Sequence, residues 1–233
     1  MSVRDGRMQG ISRRELVMAA AGLAMAGLGV FTLAGCSNEP VSKKPTAQVG
    51  FETVTLGSFV QASEDGAAPE PLSWYVLEER GDGSKLLLCE RCISRLPFNE
   101  TWEKVEWADC DLCSWLNGEF LEGAFSEEER GRIVANDDGD TVFALSVEEA
   151  QRFQGDKTDG VGFANLIGRP SAKVAVDGGH DAADTDGVLW WLRSNGNDTL
   201  HAALVTADGT VRANGTRVDD AGVAVRPALI LGA

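Results

Sequence analysis

Histidine is scarce in this chain of 233 residues, which contains only His180 and His201. This scarcity disfavours metal sites built from several histidines, and it leaves few residues for a Ser-His-Asp triad. The chain also lacks a GxSxG turn, a P-loop and a dinucleotide-binding glycine motif between a strand and a helix. The sequence therefore indicates none of the commonest hydrolase or nucleotide-dependent chemistries, and it favours a role other than catalysis.

Basic residues are few as well, with 21 Lys and Arg against 36 Asp and Glu. Without residues 1–35, the chain would have 17 basic and 34 acidic residues, a formal charge of −17. Such an acidic surface disfavours nucleic acid as a partner. Two acidic stretches, residues 136–140 and 177–186, are candidate calcium sites, although neither matches an EF-hand loop. Solvated acidic loops are the alternative.

Residues 12–36 have the pattern of an export signal. Arg13 and Arg14 form a twin-arginine pair before the apolar residues 16–34, and residues 33–36 (L-A-G-C) resemble a lipobox that ends at Cys36. We expect residues 1–35 to be a signal peptide, with Cys36 lipidated. The protein would then be extracytoplasmic and anchored to the cell membrane by its lipid. An uncleaved transmembrane helix is the alternative, because spanning needs at least about 17 apolar residues.

After the signal, residues 36–49 are polar and contain Pro, which indicates a flexible tether between the lipid and the domain. Residues 50–233 are predicted to form a single α+β domain. Alternating and β-branched segments predict strands at residues 49–59, 73–79, 85–89, 142–145, 188–194, 201–207, 210–213 and 223–231. Gly-Asp turns at residues 81–84 and 208–209 predict two hairpins.

Helix starts are indicated by capping residues. Asp109 is the predicted N-cap of a helix over residues 109–120, whose apolar residues recur at helical spacing. Ser126 with Glu129, and Ser146 with Glu149, have the spacing of capping boxes at two further helices. Residues 155–187 are rich in Gly and Asp and too long for an ordinary connection.

Several motifs, taken together, resemble an uncharacterised bacterial domain family over about residues 54–231. The motifs are residues 56–61 (L-G-S-F-V-Q), 74–77 (W-Y-V-L), 95–100 (R-L-P-F-N-E), Trp107 with Cys110 and 115–117 (W-L-N), 125–129 (F-S-E-E-E), 145–150 (L-S-V-E-E-A), 190–194 (W-W-L-R-S) and 225–229 (V-R-P-A-L). This family is distantly similar to formylglycine-generating (sulfatase-modifying) enzymes and to C-type-lectin-like domains. The resemblance implies a C-type-lectin-like α+β fold with short antiparallel strands, two or three short helices and long loops. The oxidase chemistry is not carried over, because no Cys follows Cys113.

Four cysteines form the pattern C-x2-C-x17-C-x2-C, with members Cys89, Cys92, Cys110 and Cys113. The spacing is within the range of structural zinc sites with four thiolates. Two disulfides are an alternative that an oxidising exterior favours, with cross-pairing that would link a strand to a helix. Reactive thiols are a third, and they would support a thiol- or metal-dependent enzyme.

Trp190 and Trp191 are neighbours in a predicted strand, so their side chains point to opposite faces. One is expected in the core, and the other is either packed or exposed as a platform for a sugar. A candidate ligand surface is therefore formed by Trp191, Asn195, Asn197 and Asp198, for a glycan or a surface protein. A purely structural envelope module is a further hypothesis. Arg193 and Arg226 occur in apolar segments, which predicts buried arginines bound to backbone carbonyls or carboxylates.

Overall fold

The computed structural model describes residues 51–156, 164–179 and 186–233. Arg13, Arg14, Cys36, the tether and His180 lie outside these ranges, so the expectations placed on them stay predictions. The described residues form one compact unit. Within the described ranges, no helix combines the length and apolar character that crossing a membrane requires.

The described chain contains short strands and short helices. The strands are β1 (Thr53–Phe59), β2 (Glu70–Glu79), β3 (Lys85–Cys89), β4 (Arg91–Cys92), β5 (Ser94–Arg95), β6 (Ile133–Val134), β7 (Val142–Phe143), β8 (Arg169–Pro170), β9 (Trp190–Asn195), β10 (His201–Val205), β11 (Val211–Arg217), β12 (Ala224–Val225) and β13 (Ala228–Leu231). The α-helices are α1 (Asp111–Trp115), α2 (Leu121–Ala124), α3 (Glu127–Arg130), α4 (Val147–Phe153) and α5 (Ala172–Val176). Turns of 3₁₀-helix lie at Trp107–Asp109 and Ala164–Leu166, and a π-helical turn lies at Leu116–Phe120.

Two large sheets organise the fold, and β4 and β8 form a separate two-stranded parallel sheet. The first has the strand order β1-β2-β3-β13-β6, and β7 also pairs with β13. The second has the order β11-β10-β9-β12-β5, with β12 parallel to β9 and the other pairs antiparallel. One hydrophobic cluster contains residues from both sheets and from the helices. The α+β class is therefore confirmed, as are the hairpins between β2 and β3 and between β10 and β11.

The last strands connect the two sheets. The sequence predicted one strand over residues 223–231, but the structure divides it into β12 in the second sheet and β13 in the first. Arg226 and Pro227 occupy the gap, and the Pro227 carbonyl accepts a hydrogen bond from the Cys89 N–H at 2.8 Å. Proline has no N–H to donate to a ladder, so its position between two strands leaves no donor unpaired.

Local capping explains where most helices begin. Both predicted capping boxes are confirmed, at Ser126 with Glu129 and at Ser146 with Glu149. The prediction for Asp109 is wrong, because Asp109 ends a 3₁₀ turn and the N-cap of α1 is Cys110. The Cys110 thiol sulfur accepts the Cys113 N–H at 3.3 Å.

Two of the sequence motifs meet at Gly57. The Gly57 N–H donates to Oε1 of Glu129 at 2.9 Å, so the capping box of α3 also holds the end of β1. These hydrogen bonds, from Gly57 and then from Ser126, hold the pKa of Glu129 below its ordinary value. Gly57 has a φ of +70°, and a Cβ there would lie 2.7 Å from the Ala124 carbonyl oxygen. Both conditions require glycine.

Candidate functional site

An exposed tryptophan marks the best candidate for a binding surface. Trp102 is 54% exposed, whereas Trp190 and Trp191 are fully buried. It lies in the loop between β5 and the 3₁₀ turn at Trp107. We call the following set the Trp102 surface: Trp102, Glu106, Asn195, Asp198, His201, Arg217 and Asp219.

Backbone hydrogen bonds fix the loop that contains Trp102 against the second sheet. The Asn99 N–H donates to the Val218 carbonyl at 2.9 Å, and the Val105 N–H donates to the Thr199 carbonyl at 3.0 Å. Asn99 is itself buried, and its side-chain amide donates to the Thr101 carbonyl at 2.9 Å. Trp102 is therefore exposed on a segment that is tied down on both sides.

Arg217 lies over the indole of Trp102, with its guanidinium carbon 4.2 Å from the ring centroid. Asp219 accepts two hydrogen bonds from that guanidinium, from Nε at 2.9 Å and from Nη2 at 2.6 Å. These paired hydrogen bonds lower the pKa of Asp219 below its ordinary value. They also raise the pKa of Arg217 above its ordinary value. The fork fixes the guanidinium over the ring, which is the geometry of a cation–π contact.

The predicted polar residues lie next to this pair. His201 is opposite Arg217 in the β10–β11 ladder, and its Nδ1 is 2.6 Å from Oδ1 of Asp198. The hydrogen bond to His201 lowers the pKa of Asp198, so this carboxylate is ionised at neutral pH. Asn195 donates from Nδ2 to Oε2 of Glu106 at 2.5 Å, which joins the end of β9 to the Trp102 loop.

Asn197 lies in the same turn and is exposed. Its N–H donates to the Asn214 carbonyl at 3.1 Å, so its backbone is tied to β11. Asn195, Asn197 and Asp198 therefore lie at the end of β9 and in the turn that leads to β10.

The prediction that Trp191 presents a stacking face is wrong. Trp191 and Trp190 lie in β9, a central strand of the second sheet, and both side chains are fully buried. Trp191 donates from Nε1 to the Leu96 carbonyl at 2.9 Å, and Trp190 donates to the Leu166 carbonyl at 3.0 Å. Both faces of this strand are covered. Because successive side chains in a strand point to opposite faces, the two rings lie in two parts of the core.

Sequence reasoning missed Trp102, although the signal was present. The ring is flanked by Glu100, Thr101, Glu103 and Lys104, so it has no apolar partner at the spacing of two that a half-buried strand requires. An aromatic residue in such a polar stretch is a candidate for the surface.

The cysteines do not come together as one cluster. Cys89 and Cys92 lie in β3 and β4 close to Arg226, while Cys110 and Cys113 lie at the start of α1 near Asp140. In residues 51–156, 164–179 and 186–233, no group of three or more His, Cys, Asp or Glu side chains is arranged to hold a metal ion. The predicted tetrahedral zinc site is not formed. Cross-paired disulfides are not formed either, because Cys89, Cys110 and Cys113 are free thiols.

Burial makes these thiols poor nucleophiles. Desolvation raises the pKa of Cys89, Cys110 and Cys113 to about 12 each, and the carboxylate of Asp140 adds to the effect at Cys113. A reactive thiol needs a lowered pKa and an accessible sulfur. The arrangement therefore gives no support to a thiol-dependent enzyme built on these four residues.

The acidic stretch at residues 136–140 is bound within the protein. The Asn136 side-chain oxygen accepts the N–H groups of Asp138 and Asp140 at 3.0 and 2.9 Å. Asp140 accepts the Trp107 indole N–H at 2.7 Å, and Asp138 lies 3.4 Å from Nε of Arg193. These contacts make it a structural turn rather than a calcium loop. Most of the second stretch, residues 180–185, lies outside the described residues.

Both interior arginines have the predicted structural roles. Arg226 is 1% exposed and donates from Nε to the Cys89 carbonyl at 2.9 Å and from Nη1 to the Leu166 carbonyl at 3.3 Å. Arg193 donates from Nη1 to Glu149 at 2.5 Å and to the Ala144 carbonyl at 2.9 Å. Arg226 therefore stabilises the crossing between the sheets, and Arg193 joins β9 to α4.

Comparison with known proteins identifies a family for this chain. The family model described as "Domain of unknown function (DUF6273)" matches residues 82–233, from the β2–β3 turn to the last residue. No curated protein and no solved structure matches the chain. The matched residues contain the whole Trp102 surface and the four cysteines, while the motifs at 56–61 and 74–77 precede them. The match covers more than half of the chain and confirms the resemblance to an uncharacterised family: the chain belongs to the DUF6273 domain family.

Proposed function

We propose that this protein is anchored by lipid on the outer side of the cytoplasmic membrane and that its domain binds carbohydrate at the Trp102 surface. The observation that carries the proposal is the exposed indole of Trp102, held beneath Arg217 and surrounded by hydrogen-bonding side chains. The twin-arginine pair and the lipobox at Cys36 support the location.

The chemistry of the surface suits a sugar. A pyranose has apolar C–H faces that pack on an indole, and a rim of hydroxyl groups that donate and accept hydrogen bonds. Asp198 and Glu106 supply carboxylate acceptors, Asn195 supplies an amide, and Arg217 supplies donors. One stacking residue with mixed donors and acceptors around it provides both kinds of contact.

A protein partner is less well supported. Specific protein interfaces have an apolar core of several residues, enriched in aromatic side chains. Large hydrophobic side chains that are exposed in the described part of the chain are Trp102, Val134 and Val176, which lie in a loop, in β6 and in α5. These are separate elements, so the Trp102 surface has a single apolar anchor.

The resemblance to C-type-lectin-like domains adds a fold analogy to this proposal. Such an analogy is associational, because function depends on the site and not on the fold. The proposal therefore depends on the Trp102 surface, and the sulfatase-modifying resemblance contributes nothing to it.

The test is a screen of the full chain, purified in detergent, against an array of bacterial surface polysaccharides and oligosaccharides. For the best binder, we expect Trp102→Ala to lower the affinity by about tenfold or more, which is the loss of about 1.4 kcal/mol. Trp102→Phe should retain part of the affinity, because it keeps an aromatic face. Val134→Ala is the matched control, since it removes an exposed apolar side chain elsewhere.

Equal carbohydrate binding by the wild type and Trp102→Ala would contradict the proposed surface. Failure of the wild type to bind any carbohydrate on the array would favour the purely structural module instead. In membrane fractions from cells, mass spectrometry of the wild type should find a chain that begins at Cys36 and has lipid on that residue. A chain that keeps residues 1–35 would favour the uncleaved helix over the lipid anchor.

A further inference from the structure

A second candidate site lies beside the first sheet and shares no residue with the Trp102 surface. A cavity of about 370 Å³ opens between the start of β2, the β3–β4 junction and the start of α5. Its lining includes Gln61, Glu70, Ser73, Glu90, Arg91 and Ser171. Its volume is within the range of about 300–1,000 Å³ that small-molecule sites occupy.

Hydrogen bonds between neighbouring segments fix the walls of this cavity. The Gln61 carbonyl accepts the Lys173 N–H at 2.9 Å, which ties the β1–β2 loop to α5. The Glu90 N–H donates to the Ser73 carbonyl at 2.8 Å. Arg91 donates from Nη1 to the Pro170 carbonyl at 3.1 Å, which places its guanidinium at the rim. The cavity is therefore formed before any ligand arrives, which lowers the entropic cost of binding.

The charged groups on the lining are of both signs. Glu70 and Glu90 are carboxylates and Arg91 is a guanidinium, so the charges of the lining side chains sum to −1. The buried part of the lining is neutral, because Ser171 is a hydroxyl and burial keeps Cys89 a thiol by raising its pKa to about 12. A complementary ligand has two cationic groups and one carboxylate.

We propose that this cavity binds a free basic amino acid. The two carboxylates, Glu70 and Glu90, would face the α-ammonium and the side-chain cation, and Arg91 would pair with the α-carboxylate. Ser73 and Gln61 add neutral hydrogen-bonding groups around it. Neither the carbohydrate proposal nor the family match assigns a role to these residues.

The test is titration calorimetry of the full chain with L-lysine and two analogues that each lack one charge. Cadaverine lacks the carboxylate, and 6-aminohexanoate lacks the α-ammonium. We expect L-lysine to bind about tenfold more tightly than either, because each lost charge pair is worth about one power of ten in affinity.

Variants separate the roles of the charged residues. Glu90→Gln and Glu70→Gln should each weaken L-lysine about tenfold, and Arg91→Gln should weaken L-lysine without weakening cadaverine. Glu122→Gln is the matched control, since Glu122 is an exposed acid on α2 that is not part of the lining. Unfolding midpoints of all variants show whether the fold is intact.

Two results would overturn the proposal. One is an L-lysine titration that equals the buffer titration. The other is an L-lysine affinity that Glu90→Gln and Arg91→Gln change no more than Glu122→Gln does. Trp102→Ala should leave L-lysine binding unchanged, so failure of this site and failure of the carbohydrate site are distinguishable.

Discussion

An arginine lies over a tryptophan ring in two very different places in this domain. Arg226 lies 5.2 Å from the Trp190 ring centroid in the core, and Arg217 lies 4.2 Å from that of Trp102 at the surface. The buried guanidinium donates to backbone carbonyls, and its indole donates to the Leu166 carbonyl. The exposed guanidinium is held by a carboxylate, and its indole remains 54% exposed.

The comparison separates a buried pair whose polar groups bind the protein from an exposed pair whose ring remains open to solvent. In the core, the polar groups of Arg226 and Trp190 bind the protein itself, because unpaired buried donors are costly. At the surface, Asp219 orients Arg217, while Trp102 stays in contact with water although its loop is fixed by hydrogen bonds. A fixed, exposed aromatic ring is a pre-organised contact for a ligand.

The largest loss of stability is expected when Arg226, the buried arginine, is replaced. Arg226→Ala would remove the buried donor to the Cys89 carbonyl at the crossing of the sheets, and it would leave a cavity beside Trp190. We expect a loss of about 4 kcal/mol in the free energy of unfolding, measured by urea denaturation. Arg217→Ala is the matched control and should leave the urea midpoint unchanged, because its ion pair is solvated. Similar losses in both variants would contradict the distinction.

Arg193 is intermediate in burial between Arg226 and Arg217, and its ion pair with Glu149 is mostly buried. We therefore expect an intermediate loss of stability when this pair is broken. Burial would raise the pKa of Glu149, but hydrogen bonds from Arg193 and the Ser146 N–H hold it below the ordinary value of 4.5. As the pH falls, Glu149 is therefore protonated in the unfolded chain before it is protonated in the folded chain. The contribution of Glu149 to stability is complete above pH 4.5 and is lost as the pH falls through the lower, folded-state pKa.

Glu149→Gln should lower the free energy of unfolding by about 2 kcal/mol at neutral pH. The difference between wild type and variant should shrink when denaturation is repeated at successively lower pH below 4.5. A difference that is constant with pH would show that Glu149 is not held as a carboxylate by Arg193.

The smallest effect is expected when the folded chain is treated with a thiol reagent, because its cysteines are buried. Because burial raises the pKa of Cys89, Cys110 and Cys113 to about 12, we expect iodoacetamide at pH 8 to leave the folded chain unlabelled. Mass spectrometry of a Cys36→Ser variant, with and without urea, measures this at the domain thiols alone. Rapid labelling of Cys113 in the folded state would return the thiol-dependent enzyme to consideration.

Local signals were enough to predict much of the fold. The capping boxes at Ser126 and Ser146 and the turns at residues 81–84 and 208–209 depend on a few neighbouring residues, and the structure confirms them. The strand over residues 223–231 was predicted whole. It divides at Arg226 because that side chain binds carbonyls more than 50 residues away along the chain. Such a tertiary contact leaves no local pattern.

The sequence identified some residues of the proposed surface and missed others, for the same reason. The turn at Asn195 and Asp198 was found from its composition, but Trp191 was chosen over Trp102 as its aromatic partner. Alternation in a strand shows that two neighbouring rings diverge, yet it does not show whether one or both faces are covered. Trp102 reaches the site through the pairing of its loop with Thr199 and Val218, which is again a tertiary contact.

The most direct test of the central claim is an NMR spectrum of the six indole N–H groups, recorded during titration with the carbohydrate that the wild type binds best. The Trp102 signal is identified by its loss in Trp102→Phe. The account predicts that this signal shifts with the titration while the signals of Trp190 and Trp191 stay in place. A Trp102 signal that does not move while carbohydrate binds would contradict it.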